Sequence, residues 1–293
     1  MKIYHDCITC QVRTAINSIM QLTNDEKLID ETIKICLIRA SEFKTYENLF
    51  KFYGSIQEVI KTIIPNGDPY KEHKKEFNKI CMDFSREIKS IIDNSTDKFD
   101  TSLRVCLAGN SIDVMQGKKI SGEIIKNSIT MALNQVPNLK NIKRLEQEII
   151  MANKILFLGD NTGEIVFDKI FIELLNKNYD KVGKITYVVR GGVTLNDSTM
   201  EDALIVKMNE VARVITTGID IPFSYLPLCS EGFRKAYNNS DLIISKGQGN
   251  LEALMYEDKN IFFLLKIKCS LIAKLINKNY KIDDFVVETG LLN

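Results

Sequence analysis

The chain of 293 residues contains no tryptophan, only two histidines and only five prolines. With so few histidines, Ser-His-Asp hydrolases and histidine-based phosphatases fit the sequence poorly. No apolar run reaches the ~18 residues of a membrane span, and the first residues do not resemble a signal peptide. The seven cysteines are odd in number and scattered, which argues against a disulfide framework. We therefore expect a cytoplasmic protein with no membrane partner.

The charges are nearly balanced, with 39 basic and 38 acidic residues and a net charge of +1. This balance predicts no nucleic-acid partner. The hydrophobic content of 45% and the charged content of 26% are typical of globular proteins. The length allows an α/β domain with an additional helical region. The oligomeric state is left open by the sequence.

Two regions with different patterns follow one another along the chain. Residues 1–150 predict helix after helix, whereas residues 151–293 alternate short apolar runs with helical segments, one of which opens with a capping box at 198–201. Alternation of this kind predicts a parallel sheet with helices on both sides. A final run at 285–288 predicts an edge strand. The five runs expected to form strands buried on both faces are 154–158, 185–189, 213–216, 242–245 and 261–265.

The first predicted strand ends in a group of polar residues and glycines. Asp160 and Asn161 follow the apolar run directly, and Gly163 and Glu164 come before the next helical pattern. In an open α/β sheet, ligands bind at the carboxyl ends of the strands. The side-chain oxygens of Asp160 and Asn161 suit a divalent cation, and the free N–H groups of the turn suit a phosphate.

Two further strand ends carry residues of the same kind. The second strand leads to Asn196 and Asp197, and the fourth leads to Lys246, Gly247 and Gly249. Because neighbouring parallel strands end at the same rim, we expect these loops to meet the first one around a common crevice. Lys246 would place a point charge against a phosphate. The two glycines would let backbone N–H groups approach that phosphate closely.

We predict that Asp160, Asn161 and Asp197 are both the metal ligands and the catalytic residues. Ions such as Mg²⁺ and Mn²⁺ bind carboxylate, amide and water oxygens and keep open positions for a substrate phosphate. A metal here would polarise the phosphoryl oxygen and orient or activate a water molecule. The alternative is structural, since Asp and Asn beside Gly are common in turns and helix caps.

A further candidate segment lies in the helical half. Asn110 and Asp113 follow Gly109 and are three residues apart, so they would share one face of a helix and could cover the crevice. The alternative interpretation is a helix that is broken at the glycine and capped anew at Asn110.

The pair Cys7 and Cys10 has the spacing of a metal-binding or redox motif. Two thiolates can hold a soft or borderline metal, but a complete zinc site needs about four ligands. His5 and Cys269 are the candidates to complete one. A redox role is less favoured because no strand precedes the pair. Two ordinary cysteines at the start of a helix remain the alternative.

Taken together, these motifs resemble the metal-dependent damage-control phosphatase family, first catalogued as a domain of unknown function. The N-terminal pair of cysteines and the segments 68–70 and 268–269 are similar to the smaller, largely prokaryotic subfamily. The subfamily resemblance also supports Cys269 as the partner of the cysteine pair. The segments that carry the main resemblance are 109–113, 159–164, 190–197 and 245–250.

The resemblance implies a Rossmann-like three-layer α/β/α core with a parallel-rich sheet at residues 151–293, preceded by a helical N-terminal region at residues 1–150. It implies a Mn²⁺, Mg²⁺, Co²⁺ or Ni²⁺ centre and hydrolysis of small phosphorylated metabolites, such as sugar phosphates or damaged phosphometabolites. Asp160, Asn161 and Asp197 match the family's metal ligands, and Lys246 matches its phosphate contact. The other candidate substrate-binding residues are Gly247, Gly249, Asn110, Asp113, Glu164, Arg190 and Asn196.

One departure concerns the loop after Arg190. This chain has Gly192 and Val193 where the family often carries a proline, which bears on substrate choice. Two other functions remain open: a non-catalytic protein that binds a metabolite or nucleotide, and a carboxyl methyltransferase, an activity attributed to a eukaryotic branch. The methyltransferase is less favoured because the sequence has no glycine-rich S-adenosylmethionine loop followed by an acidic strand end.

Overall fold

The computed structural model describes residues 1–63, 68–110, 121–135, 139–276 and 279–290. These residues form twelve α-helices and six β-strands. The helices are α1 His5–Leu22, α2 Glu26–Ser41, α3 Leu49–Ile63, α4 Lys71–Asp93, α5 Lys98–Gly109, α6 Gly122–Asn134, α7 Leu139–Met151, α8 Glu164–Tyr179, α9 Met200–Ile205, α10 Glu231–Asn238, α11 Gln248–Leu254 and α12 Ser270–Ile276. The strands are β1 Ile155–Leu158, β2 Ile185–Val189, β3 Arg213–Thr216, β4 Leu242–Lys246, β5 Ile261–Lys266 and β6 Phe285–Thr289.

Met1–Lys71, together with Val193–Leu195, forms one compact unit. Its helices α1, α2 and α3 pack against one another in pairs. The side chain of Asp25 caps α2 by accepting a hydrogen bond from the backbone N–H of Leu28 at 3.2 Å. The apolar face of α3 supplies much of the buried core of this unit, with Phe50, Phe52, Tyr53 and Ile56.

The second compact unit comprises Glu72–Gly192 and Asn196–Asn293 and contains the sheet. The strand order is β3-β2-β1-β4-β5-β6. The strands β1 to β5 are parallel, and β6 pairs with β5 in the antiparallel direction. Every predicted strand is present to within one residue at each end, including the edge strand. The predicted α/β fold with a Rossmann-like α/β/α core and a parallel-rich sheet is therefore confirmed.

Two local predictions need correction. The strand β3 is not buried on both faces: Arg213 is exposed and the rest of the strand is half-buried, because β3 lies at the edge of the sheet. The N-cap of α9 is Thr199 rather than Ser198, and Asp202 accepts the backbone N–H of Thr199 at 2.9 Å. The hydroxyl of Ser198 donates instead to the carbonyl oxygen of Asp160 at 3.0 Å.

The strand order reverses direction between β1 and β4, which pair in parallel near the middle of the sheet. In folds of this type, the reversal opens a crevice at the carboxyl ends of those two strands. Asp160 follows β1 and Lys246 ends β4, so both residues lie at this position. The strand order therefore places the predicted site where such sheets bind ligands.

The predicted segments 1–150 and 151–293 divide the chain differently from the two compact units. The change from helices to alternating strands and helices comes between α7 and β1, which lies inside the second unit. The division into two domains stays a prediction. Of the helices that the structure describes, none is long and apolar enough to cross a membrane.

Candidate functional site

The loops that follow β1 and β2 are joined by backbone hydrogen bonds. Asn161 and Asp197 form an isolated antiparallel bridge. The N–H of Thr162 donates to the carbonyl oxygen of Asn196 at 2.9 Å, and the N–H of Ser198 donates to that of Asp160 at 2.8 Å. The three predicted metal ligands, Asp160, Asn161 and Asp197, are therefore brought together and are all buried.

The guanidinium of Arg190 connects the two aspartates. Its Nε donates to Oδ1 of Asp197 at 2.6 Å, and its Nη2 lies 3.6 Å from Oδ1 of Asp160. Its Nη1 donates to Oδ1 of Asn250 at 3.0 Å and to the hydroxyl of Ser224 at 3.2 Å. Because one planar fork satisfies all these acceptors, Arg190 fixes the position of both carboxylates.

Asn110, at the end of α5, contacts the carboxylates of Asp160 and Glu164. Its Nδ2 lies 3.1 Å from Oδ2 of Asp160 and 3.1 Å from Oε2 of Glu164. Its Oδ1 accepts the backbone N–H of Lys266 at 2.9 Å, which fixes the orientation of the carboxamide. Asn110 therefore lies against Asp160 and Glu164, and substrate binding by Asn110 stays a prediction. Its predicted companion Asp113 lies outside the described residues.

Lys246 is fully buried behind the carboxylates of α8. Its Nζ lies 2.7 Å from Oε1 of Glu164 and 2.6 Å from Oδ1 of Asp168, and it donates to the carbonyl oxygen of Cys106 at 2.9 Å. An ammonium group has three N–H donors, and these three acceptors use all of them. Contact between Lys246 and a phosphate stays a prediction, and in this structure the ammonium is engaged with protein groups.

Gly247 and Gly249 are required by close approaches of the chain. A Cβ on Gly247, whose φ is +80°, would lie 2.0 Å from Oδ2 of Asp160. A Cβ on Gly249 would lie 2.3 Å from the carbonyl oxygen of Pro222. The N–H of Gly247 donates to Leu264 within the sheet at 3.1 Å. Gly247 therefore leaves space for the carboxylate of Asp160, while phosphate binding by these two glycines stays a prediction.

Acidic groups outnumber basic groups in the buried part of the site. Four buried carboxylates (Asp160, Glu164, Asp168, Asp197) are paired with two buried cations, Lys246 and Arg190, and the charges of Lys74 and Lys268 also act on Asp197. Burial, followed by the charges of Asp197 and Glu164, raises the pKa of Asp160 to about 7. Burial also raises the pKa values of Asp168 and Asp197, although Lys246 and Arg190 oppose the rise. A divalent cation would offset this surplus of negative charge.

The donor set at the crevice fits a hard divalent cation. Asp160, Asn161 and Asp197 offer two carboxylates and one carboxamide, the oxygen ligands that Mg²⁺ and Mn²⁺ prefer. In the part of the chain that the structure describes, this crevice included, no three His, Cys, Asp or Glu side chains form a group able to hold a metal ion. The proposed set depends on the carboxamide of Asn161 as its third member.

Several residues of the site were not identified from the sequence. Asp168 lies four residues after Glu164 on α8, a spacing that places both carboxylates on one face of the helix. This four-residue spacing is the feature of the sequence that could have identified Asp168. Asn250 donates to the carbonyl oxygens of Gly159 and Lys246, and Tyr187 donates to Asp168. The bond from Asn250 to Gly159 and the bond from Tyr187 to Asp168 join residues 91 and 19 positions apart, so the local sequence does not reveal them.

The three cysteines that were predicted to bind a metal belong to two different compact units. Cys7 and Cys10 lie in the first compact unit, on α1, and Cys269 lies in the second unit. The thiol of Cys269 is 3.5 Å from Nε2 of Gln248. Metal binding or redox activity of these three cysteines stays a prediction.

Residues 3–282 match the damage-control phosphatase ARMT1-like domain family. An uncharacterised protein from Methanocaldococcus jannaschii is 35% identical over 285 residues, which cover 94% of this chain and 92% of that protein. A protein from Archaeoglobus fulgidus named damage-control phosphatase is 30% identical over 95% of this chain and 96% of its own length. The crystal structure of a DUF89 family protein from Pyrococcus horikoshii superposes with a TM-score of 0.88 at 27% identity, covering 99% of both chains.

Proposed function

Because the chain belongs to the damage-control phosphatase ARMT1-like domain family, we propose that it is a metal-dependent phosphomonoesterase acting on small phosphorylated metabolites. A phosphatase, and hence a hydrolase, is the activity that its named relatives support. The observation that carries the proposal is the meeting of Asp160, Asn161 and Asp197 at two adjacent strand ends, beside a surplus of buried carboxylates.

Asp160, Asn161 and Asp197 would hold a divalent ion, for which Mn²⁺, Mg²⁺, Co²⁺ and Ni²⁺ are the candidates. When bound, such an ion supplies Lewis-acid polarisation of the phosphoryl oxygen. Arg190 keeps the two aspartates in place through its contacts at 2.6 and 3.6 Å. Asn110 restrains Asp160 from the opposite side at 3.1 Å. The protein thus prepares the ligand geometry before substrate arrives.

The proposed substrates are phosphate esters such as sugar phosphates or damaged phosphometabolites. Among the candidate contacts, the side chain of Asn196 is buried in the loop that carries Asp197. Glu164 and Arg190 face the carboxylates of the site and are held by other protein groups. We therefore propose that substrate choice depends on the loop after Arg190, which lacks the proline common in the family. A cytoplasmic location stays a prediction.

The test is release of inorganic phosphate from a panel of sugar phosphates with Mn²⁺, Co²⁺ or Mg²⁺, after removal of bound metal with a chelator. We expect Asp160→Asn to lose activity by about 100-fold or more, because the variant removes a charged ligand of the ion. Asp241→Asn is the matched control. Asp241 comes directly before β4, at the end of the strand away from the site, and accepts the backbone N–H groups of Asn153 and Lys154.

Equal rates for wild type and Asp160→Asn would contradict the assignment. Thermal stabilisation by a phosphorylated ligand without release of phosphate would instead support a non-catalytic binding protein. Binding of S-adenosylmethionine in calorimetry would support a methyltransferase.

A further inference from the structure

A chain of buried hydrogen bonds runs behind the candidate metal ligands. It begins at Tyr187 on β2, whose hydroxyl donates to Oδ2 of Asp168 at 2.8 Å. The other oxygen of Asp168 accepts from Lys246 at 2.6 Å, and Lys246 lies 2.7 Å from Glu164. Glu164 accepts from Asn110 at 3.1 Å. Tyr187, Asp168, Lys246 and Glu164 are all fully buried.

The last link connects this chain to a candidate metal ligand. The Nδ2 atom of Asn110 lies 3.1 Å from Oε2 of Glu164 and 3.1 Å from Oδ2 of Asp160. Its two hydrogens can therefore serve one carboxylate each. Because the Oδ1 atom of Asn110 is held by the N–H of Lys266, the carboxamide cannot rotate without losing that bond. Asn110 thus bridges Glu164 and Asp160 in one fixed arrangement.

The position of Lys246 is set by a balance between two carboxylates. Its ammonium lies between Glu164 and Asp168, and its third donor is taken by the carbonyl oxygen of Cys106. Burial alone lowers the pKa of Lys246, but the charges of Asp168 and Glu164, with that of Cys106, outweigh burial and raise it well above its usual value. If one carboxylate became neutral, the ammonium would be drawn towards the other.

We propose that Asp168 is a positioning residue of the candidate metal centre. Asp168 holds Lys246, Lys246 holds Glu164, and Glu164 keeps the ligand Asp160 in place through Asn110. The proposal rests on the proposed function in assuming that Asp160 binds the metal. The carboxylate of Asp168 accepts from Lys246, Tyr187 and the thiol of Cys106, so it would act on the metal ligands through Lys246. Groups that orient the ligands of a metal in this way affect affinity and activity by about 10- to 100-fold.

The experiment compares wild type, Asp168→Asn, Tyr187→Phe and the control Asp241→Asn. Mn²⁺ binding to the metal-free proteins is measured by calorimetry, kcat and KM are measured with a sugar phosphate, and circular dichroism follows unfolding. Asp168→Asn keeps the size of the side chain and removes its charge. We expect its Kd for Mn²⁺ to rise and its kcat to fall by about 10-fold or more, with KM changed less than about threefold.

Tyr187→Phe removes one hydrogen bond to Asp168 and should show a smaller change in the same direction, while Asp241→Asn should match wild type. If Asp168→Asn fails to fold, Tyr187→Phe decides, and an unchanged Kd in that variant overturns the proposal. An unchanged Kd in folded Asp168→Asn, with only a lower melting temperature or only a higher KM, also overturns it.

The two proposals fail in different ways. If wild type binds Mn²⁺ but releases no phosphate, the proposed function is overturned, and the Kd values alone decide the role of Asp168. If wild type releases phosphate and binds Mn²⁺ but Asp168→Asn binds it equally well, only the positioning role is overturned. If wild type binds no Mn²⁺, both proposals are overturned.

Discussion

The Nε atom of Arg190 donates to Oδ1 of Asp197 across 2.6 Å, and both side chains are almost completely buried. Arg190 is the residue after β2, and Asp197 belongs to the loop that returns to bridge Asn161. A charged pair removed from water in this way is stabilising only when its remaining donors also find partners. Arg190 meets that condition through Ser224 and Asn250.

Replacement of Arg190 should therefore destabilise the protein strongly. Arg190→Met keeps much of the side-chain volume but leaves Asp197 buried without its partner, so we expect a loss of about 3–5 kcal/mol in the free energy of unfolding. Urea unfolding followed by circular dichroism measures it. The control is Lys235→Met, which breaks the exposed pair with Glu231 on α10 and should cost less than about 1 kcal/mol. Similar losses in both variants would contradict the role given to Arg190.

Gly247→Ala should disturb Asp160 directly. The added Cβ would lie 2.0 Å from Oδ2 of Asp160, and the backbone has a φ of +80°, which disfavours alanine. We expect weaker Mn²⁺ binding and at least about a tenfold loss of phosphatase activity. Gly232→Ala is the control, because Gly232 lies in α10 with nothing within 4 Å of the added Cβ. That change should stabilise the protein by up to about 1 kcal/mol. Full metal affinity in Gly247→Ala would refute the expectation.

The stability of the metal-free protein should depend on pH through Asp160. Burial raises the pKa of Asp160 from 3.8 to about 7 in the folded protein, so between these values the folded state binds more protons than the unfolded state. The contribution of Asp160 to stability is therefore fully present below pH 3.8 and is lost as the pH rises through about 7. Urea unfolding of chelator-treated protein from pH 5 to pH 8 measures this decline.

Asp160→Asn should reduce that decline, while Asp168 and Asp197, whose pKa values are also raised by burial, continue to contribute to it. Because a proton and a metal compete for the same carboxylate, Mn²⁺ affinity of the wild type should increase over the same pH interval. Identical pH profiles for wild type and Asp160→Asn would show that Asp160 does not titrate there.

The sequence predicts a second ion at Cys7, Cys10 and Cys269, although no three His, Cys, Asp or Glu side chains of the described residues form a metal-binding group. Elemental analysis of purified protein tests this prediction. If Cys7, Cys10 and Cys269 hold a metal such as Zn²⁺, the double variant Cys7→Ser, Cys10→Ser should lose that metal and keep the ion of the aspartate site. Cys36→Ser is the control, since Cys36 is buried on α2. Equal zinc content in the wild type and the double variant would remove the cluster from consideration.

The sequence alone determined the strands of the sheet and the residues that end them. Short runs of Ile, Val, Leu and Phe predict buried strands from the local sequence, and neighbouring parallel strands end at a common rim. The sequence alone therefore places Asp160, Asn161 and Asp197 at neighbouring strand ends. The burial of β3 on both faces and the cap of α9 at Ser198 were predicted wrongly, because β3 lies at the edge of the sheet and the hydroxyl of Ser198 donates to the carbonyl oxygen of Asp160.

Only the tertiary structure decided which way Lys246 faces. At a strand end, a lysine can reach outward to an anion or inward to buried carboxylates, and its own neighbours in the sequence do not distinguish the two. Its partner Asp168 is 78 residues away, and Cys106 is 140 residues away. Contacts over such separations depend on how helices pack on the sheet. There the attraction of two carboxylates offsets the cost of burying the ammonium of Lys246.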